Sequence, residues 1–243
     1  MSHPLDLVIV VPVFNEEDSV GTVVREWMPV LESLGMEFRF LLLDDGSTDR
    51  TPEILQELSR ENPGRMEIVR HSNRGHGQTV LEGYRRAAAA NAVRVFQMDS
   101  DGQCDSAFFP EVWALRDTCD VVYGRRTDRR DGWRRKLASV VLKAVVFLSA
   151  GVVCADANSP YRLMRVDGLR AIVERIPQDF DLANIALAVL LKRSGWTHGM
   201  VNIRFRERFG GEPTVPLSRF ASKALDLAKG LRGLKVKAEK LKG

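Results

Sequence analysis

Cysteine is scarce in this chain. There are three, Cys104, Cys119 and Cys154, and no two stand in a Cys-x-x-Cys spacing. An odd count without that spacing argues against a disulfide framework and against a cysteine zinc site, and fits reduced thiols in a cytoplasmic protein. Long uninterrupted apolar runs are also lacking. The longest, Leu137–Val153, carries Lys143 in its middle and is diluted by Ala138, Ser139, Ala144, Ser149, Ala150 and Gly151. That run is at the short edge of what spans a bilayer, so a buried or interfacial helix is expected. The start does not read as a secretory leader, because Asp6 precedes the apolar run Leu7–Val13 and no basic stretch comes first. No internal repeat is visible.

What is present suits one large domain. The chain has 243 residues, 44% hydrophobic and 28% charged, enough for a self-sufficient core. The net charge of +4 hides two basic segments. Arg125–Lys136 holds seven Lys/Arg against two Asp, and Leu217–Gly243 holds eight against two acids. Such patches attract anions: a phosphate, an anionic membrane or nucleic acid. The tail offers one aromatic, Phe220, for stacking on bases, so nucleic acid is not an expected partner. Peripheral contact with the inner face of a membrane remains open, as does a merely solvated Lys-rich end.

The first half alternates between strand and helix signals. Apolar, β-branched runs at Leu7–Val13, Phe38–Leu43, Met66–Val69 and Val93–Met98 read as strands. Helical spacing fills Glu17–Leu34, the segment opened by Thr51-Pro52-Glu53, and Gln78–Ala90, with Asn15 and Thr51 as expected N-caps and Gly35 as the C-cap. This rhythm predicts an α/β fold: a Rossmann-like, doubly wound, mostly parallel sheet that binds ligand at the carboxyl ends of its strands. Further on, Val121–Tyr123 reads as a short strand and Arg125–Lys136 as a basic loop. Leu137–Val153 reads as a helix, Asp156–Arg162 as a polar turn and Asp181–Ser194 as a helix. Arg204–Pro216 reads as a charged loop, and the tail from Leu217 as a basic amphipathic helix.

Four polar motifs fall at the expected strand ends. Pro12-Val13-Phe14-Asn15-Glu16 offers an aromatic and a carboxylate beside the first strand, suited to stacking on a nucleobase and accepting from its N–H groups. The same residues also read as a turn and helix cap. Asp44-Asp45-Gly46-Ser47-Thr48-Asp49 follows the second strand, where an acidic residue reaches a ribose hydroxyl or a base amine. Asp49 reads equally as a cap. Asn73-Arg74-Gly75-His76-Gly77-Gln78 opens a helix whose N-terminus favours phosphate; Gly75 and Gly77 permit close approach, and His76 reads as a packing or hydrogen-bonding residue rather than a base. Asp99-Ser100-Asp101-Gly102-Gln103 follows the fourth strand and puts two hard carboxylates about one Mg²⁺ or Mn²⁺ apart, with Gln103 able to add an amide oxygen.

In that order these motifs resemble glycosyltransferase family 2, with its GT-A nucleotide-sugar fold. Val121-Val122-Tyr123-Gly124-Arg125-Arg126, Arg135, Ser139 and Asp156-Ala157-Asn158-Ser159-Pro160-Tyr161-Arg162 look like its dolichol-phosphate mannose synthase branch. The resemblance implies a UDP- or GDP-sugar donor contacted by Pro12, Phe14, Glu16, Asp44, Asp45, Gly75 and Arg208. It implies Mg or Mn held by Asp99, Asp101 and Gln103, and a polyprenyl phosphate acceptor cradled by Arg126, Arg135 and Ser139. Pro160-Tyr161 departs from that branch's Gly-Phe, and Glu212-Pro213-Thr214 from its Gly-x-Ser-Lys ending.

The expected organisation is a catalytic domain over 1–216, with a nucleotide-sugar and metal half at 1–124 and an acceptor half at 125–216, followed by a tail at 217–243. The expected catalytic set is Asp99, Asp101, Arg126, Arg135 and Asp181. Transfer to a hydroxyl or amine acceptor is the alternative, and it would want Asp181 or Asp179 as a base. A non-catalytic nucleotide-sugar-binding subunit is a further alternative, opposed by the intact Asp-x-Asp. Oligomeric state is not expressed in the sequence.

Overall fold

A computed structural model describes residues 5–127, 133–154, 159–177, 180, 182–209 and 220–234, with side chains described in all of these except 133–139 and 220–226. Strand β1 (Leu7–Val13) is buried along its whole length, as its apolar run requires. It pairs in parallel with β2 (Phe38–Asp44) in the register Leu7↔Phe38 to Val13↔Asp44, and with β4 (Arg94–Gln97) on its other side. Strand β3 (Met66–Arg70) pairs in parallel with β2. The crossovers carry α1 (Val20–Ser33), α2 (Thr51–Glu61) and α3 (His76–Ala89). Parallel strands need such crossovers, and these bring the carboxyl ends of β1, β2 and β4 to one edge.

The chain continues through α4 (Phe109–Ala114), β5 (Val121–Arg126), α5 (Trp133–Ala150), β6 (Arg162–Arg165), α6 (Leu169–Val173), α7 (Ala183–Arg193), β7 (His198–Ile203) and α8 (Phe220–Gly233). The result is a seven-stranded sheet in the order β3-β2-β1-β4-β6-β5-β7. Strand β6 runs antiparallel to both of its neighbours, and β5 and β7 are parallel. This is the mostly parallel, Rossmann-like α/β fold.

Alternation along the strands divides the core between the two faces of the sheet. Val8, Val10, Leu41, Leu43 and Val95 pack on one side with α3, α6 and α7. Leu7, Ile9, Val11, Phe40, Leu42 and Phe96 pack on the other with α1, α2 and α4. Trp27 anchors the second side. Its ring lies 5.4 Å from Phe96, 5.5 Å from Phe109 and 5.8 Å from Tyr161, and its Nε1 donates to the Cys104 carbonyl at 3.2 Å. Truncating such a ring to alanine costs about 3–5 kcal/mol, and here it would also release the segment that follows Asp101.

Several boundaries differ from expectation. Asn15 is not a helix cap: α1 starts at Val20 with Ser19 at the cap position. Asn15 instead takes a left-handed φ of 52° and bonds the loop after β2. Thr51 lies inside α2, after Arg50 at the cap, and its Oγ1 accepts from Glu16 N at 2.9 Å. Strand β5 extends to Arg126, so Arg125 and Arg126 belong to the sheet and not to a loop. Arg162 opens strand β6 and does not close a polar turn.

Candidate active site

The first two motifs are stitched together by backbone-to-side-chain bonds. Asn15 N donates to Ser47 Oγ at 3.0 Å, and Thr48 N donates to Asn15 Oδ1 at 2.9 Å. Asp44 Oδ1 accepts from Ser47 N at 2.8 Å, while its buried Oδ2 sits 3.2 Å from Arg70 Nε. Gly46 makes the tight path possible: its φ is +78°, and a Cβ there would fall 2.8 Å from Asn73 N. Any L side chain would strain this turn and collide with the neighbouring loop.

Asp45 works as a latch on the third motif. Its Oδ1 accepts from Arg74 N at 2.7 Å and its Oδ2 from Gly75 N at 2.9 Å, with His71 Nδ1 at 3.3 Å. Both oxygens therefore hold the turn that starts α3. Hydrogen bonds to a charged acceptor contribute about 1.5–3 kcal/mol each. Phe14 presents an exposed ring at the end of β1.

The fourth motif lies beside the first. Ser100 Oγ donates to the Pro12 carbonyl at 2.9 Å, tying the ends of β4 and β1. Asp99 Oδ1 is buried and accepts no hydrogen bond among the described residues; His76 Nε2 is 4.0 Å away. Burial raises the Asp99 pKa, and Asp101 raises it too, while His76, Arg126 and Arg208 pull it down. Asp101 Oδ1 accepts from Gln103 N at 3.0 Å. The Gln103 amide nitrogen reaches the Arg206 carbonyl at 3.4 Å.

The loop of residues 204–209 lies over these groups. Arg206 N donates to the Gln103 carbonyl and Phe209 N to the Asp101 carbonyl, both at 3.1 Å. The Phe209 ring covers Gly102, where a Cβ would be only 2.3 Å from it. Arg206 Nη2 pairs with Glu26 Oε1 at 2.7 Å and holds the loop from outside. Arg208 bridges two motifs: Nη2 donates to Glu16 Oε1 at 3.0 Å, and Nε lies 3.2 Å from Asp101 Oδ2. Ser19 Oγ donates to Glu16 Oε2 at 2.5 Å. Burial nevertheless raises the Glu16 pKa, against the pull of Ser19 and Arg208.

These residues suit a divalent cation. A desolvated carboxylate oxygen without a hydrogen bond, next to a second carboxylate, is a costly arrangement unless a cation completes it. Among the described residues no cluster of three or more His, Cys, Asp or Glu surrounds it. Two carboxylates with substrate phosphates and water form the kind of set Mg²⁺ accepts.

Arg126 closes β5, with its guanidinium 5.1 Å over the Phe205 ring. Arg135 and Ser139 fall on α5, where their side chains are outside the described set, and Asp156, Asp179 and Asp181 lie outside the described residues. Three features escaped the sequence reading. His76 faces Asp99 because α3 begins one residue after Gly75, and that helix start was its one signal. The Glu26–Arg206 pair joins residues far apart in the chain, with no signal. Arg162 is fully buried, donating to the carbonyls of Ser159 and Asn184 at 3.4 and 3.3 Å.

Comparison with known proteins bears on the family and the fold. The sequence model described as glycosyl transferase family 2 matches residues 8–173. Similar folds occur in two crystal structures of glucosyl-3-phosphoglycerate synthase from Mycobacterium tuberculosis. One, in complex with UDP, is 20% identical over 95% of this chain and 80% of that one, with a TM-score of 0.65. The other, with Mn²⁺, UDP and phosphoglyceric acid, is 18% identical over 95% and 78%, with a TM-score of 0.67. Mannosyl-3-phosphoglycerate synthase from Rubrobacter xylanophilus is 15% identical over 98% and 78%, with a TM-score of 0.63. At such identities the likeness speaks for the fold. The chain belongs to glycosyl transferase family 2, and the match does not single out the dolichol-phosphate mannose synthase branch.

Proposed function

We propose that this family 2 glycosyltransferase moves a hexosyl group from a UDP- or GDP-sugar, with Mg²⁺ or Mn²⁺, to an acceptor that presents a phosphate. The observation that carries the reading is the desolvated Asp99 Oδ1 beside Asp101, whose Oδ2 lies 3.2 Å from the Arg208 guanidinium. Carboxylates that hold a cation, flanked by arginines, form a site for two anionic partners.

Phe14 would stack on the nucleobase, with Glu16 and Asp44 at hand for its polar groups. Asp99, Asp101 and the Gln103 amide would hold the cation, which screens the charge developing on the leaving diphosphate. Arg208, already between Glu16 and Asp101, would pair with the diphosphate under the 204–209 loop. Arg126 would orient the acceptor phosphate and offset its repulsion from the donor. The acceptor oxygen forms its bond to the anomeric carbon as the bond to the diphosphate oxygen breaks. The electron pair leaves with the nucleoside diphosphate, and the configuration inverts. A phosphate is already anionic near neutral pH, so the step asks little of a general base.

Two sources of that phosphate have support. The order Gly124, Arg126, Arg135, Ser139 fits a polyprenyl phosphate. The similarly folded proteins named above for phosphoglycerate fit a small phosphorylated acid instead. Nucleotide release from UDP-glucose and GDP-mannose with Mn²⁺ decides between them, run with 3-phosphoglycerate, with undecaprenyl phosphate and with neither. Stimulation by one of the two names the acceptor. Metal-dependent release that neither stimulates would contradict a phosphate acceptor and turn the search to hydroxyl and amine acceptors, with Asp181 tested as the base.

A further inference from the structure

Exposed apolar side chains concentrate on one helix. Among the described residues, five of the nine large exposed hydrophobics lie between 140 and 153, so the helix α5 region holds a patch and not scattered single residues. Val140 is 62% exposed, Phe147 54%, Leu148 77% and, just past the helix end, Val153 72%. The opposite side of α5 is satisfied: Val146 and Ala150 are buried in the cluster that contains Leu227 and Leu231 of α8. The helix thus packs on one face and leaves a second apolar face without a partner among the described residues.

Charge says what fits that face. Helix α5 carries Arg134, Arg135, Lys136 and Lys143 and no acidic residue. Helix α8, packed beside it, carries Lys223, Lys229 and Arg232 against Asp226. Lys235, Lys237, Lys240 and Lys242 follow in the sequence against Glu239. The rest of the chain is net acidic. A two-fold contact between copies sets a patch against its own kind, so a second copy would bring basic residues onto basic residues with scarcely an acid to answer them. An anionic surface meets the same residues favourably. No described helix is long and apolar enough to cross a membrane, while apolar residues bordered by Lys and Arg are what lets a helix lie in the headgroup plane.

We propose that α5, with α8 beside it, docks the protein on anionic phospholipid through Val140, Phe147, Leu148 and Val153. Arg126 closes the strand that leads into α5, so docking would set the acceptor side of the site near the headgroups. The inference goes beyond the transfer reaction and holds for either source of acceptor phosphate.

Co-sedimentation of the full chain tests it, using vesicles of phosphatidylcholine alone and of phosphatidylcholine mixed with phosphatidylglycerol at low ionic strength. The protein pellets with the anionic vesicles, stays in the supernatant with the neutral ones, and is released by salt. The double substitution Phe147→Glu with Leu148→Glu weakens partitioning about a hundredfold, because two apolar side chains no longer enter the bilayer surface. Lys143→Glu, a surface change without packing consequences, weakens it about tenfold. Melting temperature and nucleotide release in vesicle-free solution stay at wild-type values in both variants, which keeps this test separate from that of the transferase reading. Failure to pellet with anionic vesicles overturns the proposal, as does pelleting that the substitutions leave intact. A dimer in vesicle-free solution that Phe147→Glu separates would also overturn it and assign the face to a second copy.

Discussion

The end of the sheet proposed to take the donor and the part proposed to take the acceptor are built differently. At the ends of β1, β2 and β4, side chains hold one another in place: Asp45 grips two amides of the α3 turn, Asn15 and Ser47 bond across their loops, and Ser100 holds Pro12. In the other half of the sheet, β6 alone runs against the common direction, between β4 and β5. There, among the described residues, α5 turns an apolar face outward. A nucleotide-sugar donor of the kind proposed rewards a prebuilt cradle. Loops on a rigid scaffold are where variation is tolerated.

The largest effect expected from breaking this contrast lies on the donor edge. Asp101→Ala removes a proposed cation ligand and a partner of Arg208, and kcat should fall about a thousandfold or more, since charge stabilisation of this kind supplies several kcal/mol. Steady-state nucleotide release with saturating Mn²⁺ measures it. Arg126→Ala should act chiefly on the other side: acceptor KM rises about 10–100-fold, from a missing charge-assisted pair, while donor hydrolysis without acceptor changes far less. A matching fall in hydrolysis would place Arg126 with the donor.

A smaller effect probes the loop that joins the two sides. Gly102 has a φ of +81° and lies under Phe209. Gly102→Ala should cost about 1–2 kcal/mol from the left-handed backbone and push the 204–209 loop outward, raising donor KM by about tenfold. Limited proteolysis between Arg204 and Phe209 should speed up with it.

The smallest effect is a pH dependence away from the site. Burial beside Lys192 lowers the His198 pKa from 6.5 to about 4, and its ring stacks on Tyr123 at 5.7 Å. The unfolded chain takes up this proton near 6.5 and the folded chain does not, so the unfolded state binds more protons in that window. The stability is complete above 6.5 and drains away as the pH falls towards about 4. Melting curves should show a shallower acid-side decline for His198→Gln than for the wild type.

The same contrast governs what the sequence makes legible. Strands β1 and β2 are readable because apolar, β-branched runs buried on both faces look like nothing else. Strand β6 is hidden because its four residues are bracketed by Arg162 and Arg165, and a buried arginine is not a strand signal. Strand β7 is blurred by Gly199 and Asn202. In the site, the motif residues stand where the strand-end rule puts them. Their division of labour does not appear, because it rests on distant contacts. Arg208 and Glu16 are 192 positions apart, and Asp45 looks like a ligand group until the amides of Arg74 and Gly75 are seen on its two oxygens. Asn15 is a sound local cap that a long-range bond to Thr48 takes elsewhere.

Calorimetric titration of UDP and GDP into the protein, with Mn²⁺ and with EDTA, tests the central claim most directly, using the wild type and Asp99→Asn. The account predicts that one nucleotide binds tightly with Mn²⁺, and at least about tenfold more weakly both in EDTA and in the variant. Equal affinity with and without the cation, unchanged by Asp99→Asn, would contradict a metal-bridged donor site at the end of β4.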